Sequence, residues 1–180
     1  MVSRVLLIAG VLALVPQVAI AQSGAESPKP GPEHKRLEFF VGKWKWEGVA
    51  KPSQFGPGGK TTGTTNCEWF EGRFQVICRS ELMGPSGNGK ELEILAYSPA
   101  EAGYTRYNIT SDGQGALAHG KLSGKTWQWH GESKTAGKSM RFDFPWTETS
   151  PDSYTAKLVV TSNGAAPVTV IEGTGTRIKQ

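Results

Sequence analysis

The chain has 180 residues, a formal net charge of +4, three histidines and two cysteines. This length corresponds to roughly one domain, and such a domain buries a core without a metal or a dense set of disulfides. Lys and Arg are interleaved with Glu and Asp along the chain, whereas a nucleic-acid-binding protein needs a basic stripe. We therefore expect no nucleic acid as a partner.

The N-terminus has the features of an export signal. Arg4 precedes an apolar run over residues 5–15, and Ala-Ile-Ala at residues 19–21 is the small-x-small pattern that signal peptidase cleaves. The run is too short to persist as a membrane-spanning helix. We therefore predict that residues 1–21 are a signal peptide, that the mature protein is periplasmic or secreted, and that it has no stable membrane insertion. A retained N-terminal anchor is the alternative.

The folded part begins after a flexible leader. Residues 22–31 are rich in Ser, Gly and Pro and lack an apolar pattern, which is typical of a disordered segment. The next stretch, PEHKRLEFFVG, predicts one short helix. Pro32 suits the first helical position, where its missing N–H costs nothing, and Gly42 is a common residue at a helix end.

Beyond the helix, apolar and polar residues alternate in short segments separated by Gly, Pro, Asn and Asp at hairpin distances. About ten strands follow one another without room for crossover helices, so neighbouring strands must be antiparallel. Closing such a sheet into an up-and-down barrel removes its two exposed edges. Residues 32–180 are therefore predicted to form a single all-β domain, an antiparallel up-and-down barrel with one short N-terminal helix. A two-sheet sandwich is the alternative.

Two cysteines lie on adjacent predicted strands. In an exported protein, Cys67 and Cys78 at this spacing favour one disulfide. A two-residue turn at Gly72 and Arg73 would place them directly opposite each other, whereas a turn at Glu71 and Gly72 would place them on a diagonal. Two unpaired buried thiols are the alternative.

Residue types that carry chemistry lack the spacing that a catalytic or metal site needs. The histidines have no i, i+4 partner and no nearby cysteine pair, so we predict no metal site and no cofactor. Two stretches that approach a phosphate-binding loop fail in spacing and in structural context. Glu91 and Glu93 share one face of a strand, as paired acid–base carboxylates do, but Lys90 beside them favours a solvated face. We identify no catalytic residue.

The segment Gly42-Lys43-Trp44 after the helix resembles the start of lipocalin-type barrels. In that superfamily the tryptophan closes the barrel bottom under a basic residue of the last strand. The resemblance implies that Trp44 and Arg177 form this pair and stabilise the fold rather than carry chemistry. The alternative is that Trp44 is an ordinary core residue and Arg177 a solvated strand end.

Three stretches, GPEHKRLEFFVGKW, CEWFEGRF and AYSPAEAGYTRYNITSDG, resemble the bacterial family called domain of unknown function 1579 (DUF1579). The resemblance covers most of residues 32–120 and implies a lipocalin-like barrel and export. The family has no established activity, so the resemblance implies no mechanism, and the two cysteines are not a fixed feature of it. The matching positions are Glu33, His34, Leu37, Val41, Gly42, Trp44, Trp69, Gly72, Phe74, Tyr97 and Tyr104.

Six tryptophans are distributed over several predicted strands. A small barrel either fills its interior with side chains or holds one small ligand, and aromatic walls suit an apolar molecule. We therefore predict an exported, non-enzymatic barrel that binds a small, largely apolar molecule of unknown identity. The predicted pocket residues are Trp69, Phe74, Val76, Met140, Phe142 and Phe144.

Two other functions stay open. An enzyme acting on a small molecule within the barrel would have a buried polar cluster with shifted pKa values, around His119 or His130. A haem barrel with one axial histidine is a related option. An envelope structural or interaction protein without a ligand would have a sealed core and a contiguous exposed apolar patch. The sequence does not define the oligomeric state.

Overall fold

The structure, a computed structural model, describes residues 28–135, 138–162 and 165–179. Within these residues, ten strands follow one short helix, neighbouring strands are antiparallel, and the first strand pairs with the last. The sheet is therefore a closed up-and-down barrel, which confirms the predicted fold class. The predicted signal peptide and most of the predicted leader lie outside the described residues.

Helix α1 spans Pro32–Arg36 and continues as a 3₁₀ turn over Leu37–Phe40. Among the residues described, no helix has the length and apolar character needed to cross a membrane. The strands are β1 (Gly42–Ala50), β2 (Gly59–Trp69), β3 (Gln75–Gly84), β4 (Gly87–Ser98), β5 (Gly103–Thr110), β6 (Gly115–Ser123), β7 (Thr126–Thr135), β8 (Lys138–Ser150), β9 (Ser153–Ser162) and β10 (Val168–Arg177).

The helical segment packs across one end of the barrel, which we call the closed end. Leu37 and Phe40 are 0% and 3% exposed, and the Phe40 ring lies 4.8 Å from that of Trp127. The Trp44 indole N–H donates to the Phe40 carbonyl at 2.7 Å, so β1 is tied directly to the helical segment. Gly42 has a φ of +118°, which other residues rarely adopt, and this conformation leads the chain into β1.

Strand register sets which side chains fill the barrel. In β7, Trp127 and Trp129 face inward, are each 1% exposed, and stack with ring centroids 6.1 Å apart. They pair across to Trp146 and Phe144 of β8. Gly120 on β6 lies opposite Trp129, where a Cβ atom would collide with the indole ring. The interior therefore contains large rings at positions where the facing strand has small residues.

The predicted disulfide is confirmed. Cys67 and Cys78 lie directly opposite each other on β2 and β3, with a Cα–Cα distance of 4.0 Å, and are bonded. The turn is centred on Gly72 and Arg73, as expected, but it is wider than two residues, because residues 70–74 join the strands. Gly72 and Arg73 have φ values of +79° and +59°, so a left-handed bend accommodates the extra residues without changing the register.

Candidate functional site

A cavity of about 140 Å³ lies inside the barrel. Its wall combines aromatic rings, the Cys67–Cys78 disulfide, aliphatic side chains and a group of polar side chains. The aromatic members are Phe40, Trp44, Trp46, Phe144, Trp146 and Tyr154. The polar members, which we call the polar wall, are Thr65, Ser80, Glu91, Glu93 and Arg106.

Two larger depressions, of about 700 and 920 Å³, lie along β2–β4. They are lined mainly by surface side chains such as Glu81 and Lys90, which form an ion pair at 3.1 Å with 70% and 75% of their side chains exposed. Exposed ion pairs of this kind contribute little energy and are typical of a solvated surface. The interior cavity is therefore the candidate site.

A buried ion pair lies at the centre of the polar wall. Arg106 on β5 and Glu93 on β4 are 6% and 5% exposed, and Nη2 of Arg106 donates to Glu93 Oε1. The same nitrogen lies 3.3 Å from Glu91 Oε1. Burial acts to lower the pKa of Arg106, but the charges of Glu93 and Glu91 outweigh it and hold the pKa above its ordinary value. The guanidinium therefore stays charged inside the barrel.

The Glu91 carboxyl in the polar wall has a raised pKa. Its Oε1 accepts a hydrogen bond from Asn108 Nδ2 at 2.6 Å. Burial is the largest effect on this carboxyl, followed by the negative charge of Glu93, and together they raise the pKa of Glu91 to about 7. Arg106 and Asn108 oppose this rise. Glu91 therefore keeps its proton to a higher pH than an exposed glutamate does.

Three buried N–H groups have no hydrogen-bond acceptor within the described residues: Arg106 Nε, Trp129 Nε1 and Trp146 Nε1. A buried donor without an acceptor costs about 1–3 kcal/mol, so each of these groups favours a partner. Arg106 and Trp146 line the cavity, whereas Trp129 lies behind it, with its ring 6.1 Å from that of Trp146. All three nitrogens are themselves covered by neighbouring atoms, so none of these donors is open to the cavity.

Comparison with known proteins identifies the family. Residues 29–177 match the family model described as protein of unknown function DUF1579. The chain belongs to the DUF1579 family. This confirms the resemblance seen in the sequence and extends it past residue 120. No curated protein is significantly similar in sequence to the chain.

Solved structures similar to this DUF1579 protein have lipocalin-like barrels. Rv2717c from M. tuberculosis is 11% identical with a TM-score of 0.62, and the alignment covers 83% of this chain and 99% of that one. The S-type phycobiliprotein lyase CPES from Guillardia theta is 11% identical with a TM-score of 0.58, covering 82% and 93%. At this identity the likeness establishes the fold alone.

The sequence predicts six pocket residues, and the structure places one of them, Phe144, in the wall of the cavity. Three of the others lie near the closed end. Val76 is fully buried in the core, Phe74 packs edge-on against the His34 ring, and the Trp69 indole N–H donates to a glutamate of the helical segment at 2.8 Å. These three are therefore placed to stabilise the closed end.

The remaining two predicted pocket residues, Met140 and Phe142, lie on β8 on the side of Phe144 away from the closed end. Both are half-buried and neither is in the wall of the cavity. Any contact of these residues with a ligand stays a prediction.

Trp44 and Arg177 meet at the closed end. The guanidinium carbon of Arg177 lies 4.3 Å from the centroid of the Trp44 ring, and Trp44 is 3% exposed. Arg177 also donates from Nη2 to the Phe39 carbonyl at 2.9 Å and from Nη1 to the Val41 carbonyl. The last strand is thereby linked to the chain at the end of the helical segment. That this pair closes the barrel stays a prediction.

The polar wall was not predicted from the sequence. The expectation of a solvated face for Glu91 and Glu93 is wrong, because only 12% and 7% of their side chains are exposed. A signal was present on the neighbouring strand. Leu95 pairs with Arg106 and Glu93 with Asn108, so a cation and an amide of β5 share the inner face with the two carboxylates.

The histidines considered for a buried cluster lie on the outer face. His119 and His130 are exposed and directly paired across β6 and β7, and His119 Nδ1 lies 3.2 Å from Glu101 Oε2. No histidine lines the described cavity. Among the described residues, no group of three His, Cys, Asp or Glu is arranged to hold a metal. The buried polar cluster is therefore at Glu91, Glu93 and Arg106, not at the histidines.

Proposed function

We propose that this DUF1579 chain is an exported barrel that binds a small, largely apolar molecule in its interior. The observation that carries the proposal is the cavity, in which an aromatic wall faces a buried polar wall. Ligand sites typically combine an apolar lining with a few fixed polar groups that set orientation. A core with a structural role alone would instead be packed to the density of an organic crystal.

Export is supported by two features. Residues 1–21 have the pattern of a signal peptide, and disulfides such as Cys67–Cys78 persist mainly in oxidising compartments. Intact mass measurement of the protein from the periplasmic and medium fractions of its own host tests this part. We expect a mature chain that begins near Gln22, and a full-length chain confined to the cytosol would contradict export.

Ligand binding is tested by filling the cavity. Ala156 on β9 is 5% exposed and lines the cavity, so Ala156→Leu places a larger side chain inside. Thr155→Leu is the matched control, because the adjacent residue is exposed on the outer face of the same strand. Ile171→Phe on β10 is a second filling variant, for use if Ala156→Leu does not fold.

Each protein is purified from its own host and measured by native mass spectrometry, after near-ultraviolet circular dichroism confirms folding. We expect an additional mass on the wild type and on Thr155→Leu, and none on the filled variants. A wild type without any additional mass, or a filled variant that retains it, would contradict binding in the cavity.

An enzyme is the second candidate function, favoured by the paired carboxylates. Glu91 has a pKa of about 7 and lies in the cavity wall beside Glu93, so it is suited to exchange a proton with a bound molecule. Incubating the protein with the molecule released from it, followed by chromatography and mass spectrometry, separates the two functions. Conversion by the wild type and not by Glu91→Gln would favour an enzyme, and an unchanged molecule would favour a binding protein.

An interaction protein is less well supported. Ile94, Tyr107 and Leu117 are cross-strand neighbours on the outer face of β4–β6 and are 37%, 47% and 46% exposed. They form the contiguous apolar patch that this function requires. The function also requires a sealed core, which does not agree with the interior cavity.

A further inference from the structure

We propose that the cavity selects a small organic cation, a compact molecule with one apolar ring and one ammonium group, which the carboxylates of Glu91 and Glu93 bind. This inference rests on the proposed function, because it names the class of molecule that the same cavity holds. It is carried by two accessible carboxylate oxygens, by the sum of charge in the polar wall, and by the volume of the space.

One oxygen of each carboxylate is free to accept a hydrogen bond from a ligand. The N–H donors of Arg106 and Asn108 bond to Oε1 of Glu91 or Glu93, and within the described residues neither Oε2 atom has an N–H donor. The covered side-chain atoms without a partner are, in the same part of the chain, all nitrogens, so both Oε2 atoms remain accessible. Both side chains line the cavity and Glu93 is only 5% exposed, so its free oxygen opens to the interior.

Hydroxyl groups beside the carboxylates add further acceptors. Ser80 on β3 pairs directly with Glu91 on β4, and Ser80 Oγ lies 2.8 Å from Thr65 Oγ1 on β2. Each hydroxyl oxygen has two lone pairs, so one hydrogen bond between the two groups leaves lone pairs unused. An ammonium group has three N–H donors and therefore needs several acceptors around one point. The polar wall supplies such acceptors from three adjacent strands.

The polar wall has an excess of one negative charge when both carboxyl groups are ionised. Glu91 and Glu93 face a single cation, Arg106, and no other residue in the described lining of the cavity is charged. Burial first, and then the charge of Glu93, raise the pKa of Tyr154, so this phenol stays uncharged. An unbalanced buried charge costs free energy, and either a proton on Glu91 or a cationic ligand balances it. An anion would increase the imbalance.

The raised pKa of Glu91 agrees with this excess of negative charge. Burial is the largest cause of the rise to about 7, the charge of Glu93 is the second, and a hydrogen bond between the two carboxyl groups adds to it. An ammonium group can replace the proton of that hydrogen bond, because its N–H groups donate to the same oxygens. Folding has already buried the carboxylates, so most of their desolvation cost does not recur when the ligand binds.

The volume limits the ligand to about one ring. An interior space of about 140 Å³ is close to the engineered apolar cavity of about 150 Å³ that binds benzene. Sites for drug-sized ligands are larger, about 300–1,000 Å³. The aromatic wall suits both parts of the ligand, because ring faces attract cations. The guanidinium carbon of Arg106 already lies 5.5 Å and 5.2 Å from the ring centroids of Phe144 and Trp146.

Two probes of matched shape separate the effect of charge from that of size. Benzylamine is a cation in neutral solution, and benzyl alcohol has nearly the same size without a charge. Both are titrated into the mature protein by isothermal titration calorimetry. At pH 8 we expect benzylamine to bind about tenfold more tightly, because hydrogen bonds between charged groups are stronger than neutral ones. Its affinity should fall about tenfold between pH 8 and pH 6, as Glu91 is protonated, and that of benzyl alcohol should not.

The number of protons released gives a readout that a carboxylate without contact to the ligand would not change. At pH 6 Glu91 is mostly protonated, and the cation must displace this proton. Titration in two buffers of different ionisation enthalpy should therefore show about one proton released for each benzylamine bound at pH 6, and almost none at pH 8. Benzyl alcohol should release no proton at either pH.

A pair of variants isolates the carboxylate. Glu91→Gln keeps the shape of the side chain and cannot ionise, so we expect benzylamine to lose its advantage over benzyl alcohol and its pH dependence. Glu81→Gln is the matched control, because Glu81 has 70% of its side chain exposed, and it should behave as the wild type does. The affinity ratio is measured within each protein, so a general loss of packing does not alter it. If Glu91→Gln does not fold, the wild-type pH dependence and the proton release decide.

Equal or weaker binding of benzylamine at pH 8, or binding at pH 6 without proton release, would overturn the ligand class. If neither probe binds but the protein retains a molecule from its host, this inference fails and the proposed function stands. If neither probe binds and no molecule is retained, both fail.

Discussion

Replacing Glu91 with glutamine tests whether the interior of the barrel contains a carboxyl group that titrates near neutral pH. Glutamine has the shape of a protonated glutamic acid and cannot ionise. Its oxygen can accept the hydrogen bonds that Glu91 accepts from Asn108 and Arg106. The variant therefore fixes this site in its uncharged form at every pH.

The magnitude follows from the shift of the pKa on folding. Burial first, and then the charge of Glu93, raise the pKa of Glu91 from 4.5 to about 7. The folded protein then binds this proton more tightly than the unfolded chain, so wild-type stability falls as the pH rises from about 4.5 to about 7. At about 1.4 kcal/mol for each pH unit, the loss amounts to about 3 kcal/mol. Glu91→Gln does not undergo this loss.

The assay is urea unfolding at several pH values between about 5 and 8, followed by tryptophan fluorescence. We expect the free energy of unfolding of Glu91→Gln minus that of the wild type to rise by about 2–3 kcal/mol across this range. Glu81→Gln is the matched control, because Glu81 has 70% of its side chain exposed. The free energy of unfolding of Glu81→Gln minus that of the wild type should change by less than about 0.5 kcal/mol across the same pH range. A pH-independent difference for Glu91→Gln would refute a buried, titrating carboxyl group.

Two further predictions concern the wall and the closed end. Replacing Cys67 and Cys78 together by alanine should lower the free energy of unfolding by about 3 kcal/mol, because the bridge closes a loop with a sequence separation of 11, and urea unfolding checks this. An unchanged value would contradict a stabilising bridge. Arg177→Met should cost about 2 kcal/mol through the lost contact with Trp44 and the lost hydrogen bonds. Arg79→Met, which breaks only an exposed ion pair, is its control, and an equal effect of the two would contradict a closing role.

The architecture was predictable because it depends on local signals. Alternation in segments such as the one containing Trp127 and Trp129 specifies a strand with two different faces, and short turns force antiparallel neighbours. The register of Cys67 and Cys78 followed from the centre of one turn. The width of that turn could not be predicted in the same way. It depends on Arg73 adopting a positive φ, which is uncommon for a residue other than glycine.

The polar wall was not predictable from β4 alone. In this strand Glu91 and Glu93 alternate with apolar residues such as Ile94, and the usual rule places the apolar set inside. The structure does the reverse, with Ile94 37% and Glu93 5% exposed. Leu95, fully buried further along the strand, fixes which face turns inward, and Arg106 from β5 compensates the buried charge. Which face of a strand turns into the barrel depends on the partner strand. The sequence of one strand does not contain this information.

The cavity depends on how side-chain volumes from different strands combine. Gly175 lies opposite Tyr154, and a Cβ at Gly175 would collide with the tyrosine ring, so the position of this ring depends on a residue of another strand. Alternation gives the direction of each side chain but not the space left between them. For this reason only Phe144, of the six residues predicted from the sequence, is in the cavity wall.

Crystallography of the mature protein purified from its own host is the decisive measurement for binding inside the barrel. We expect electron density for a small molecule in the cavity, in contact with Trp146 and Phe144. Interior side chains that close this space, with no such density, would contradict the proposed function.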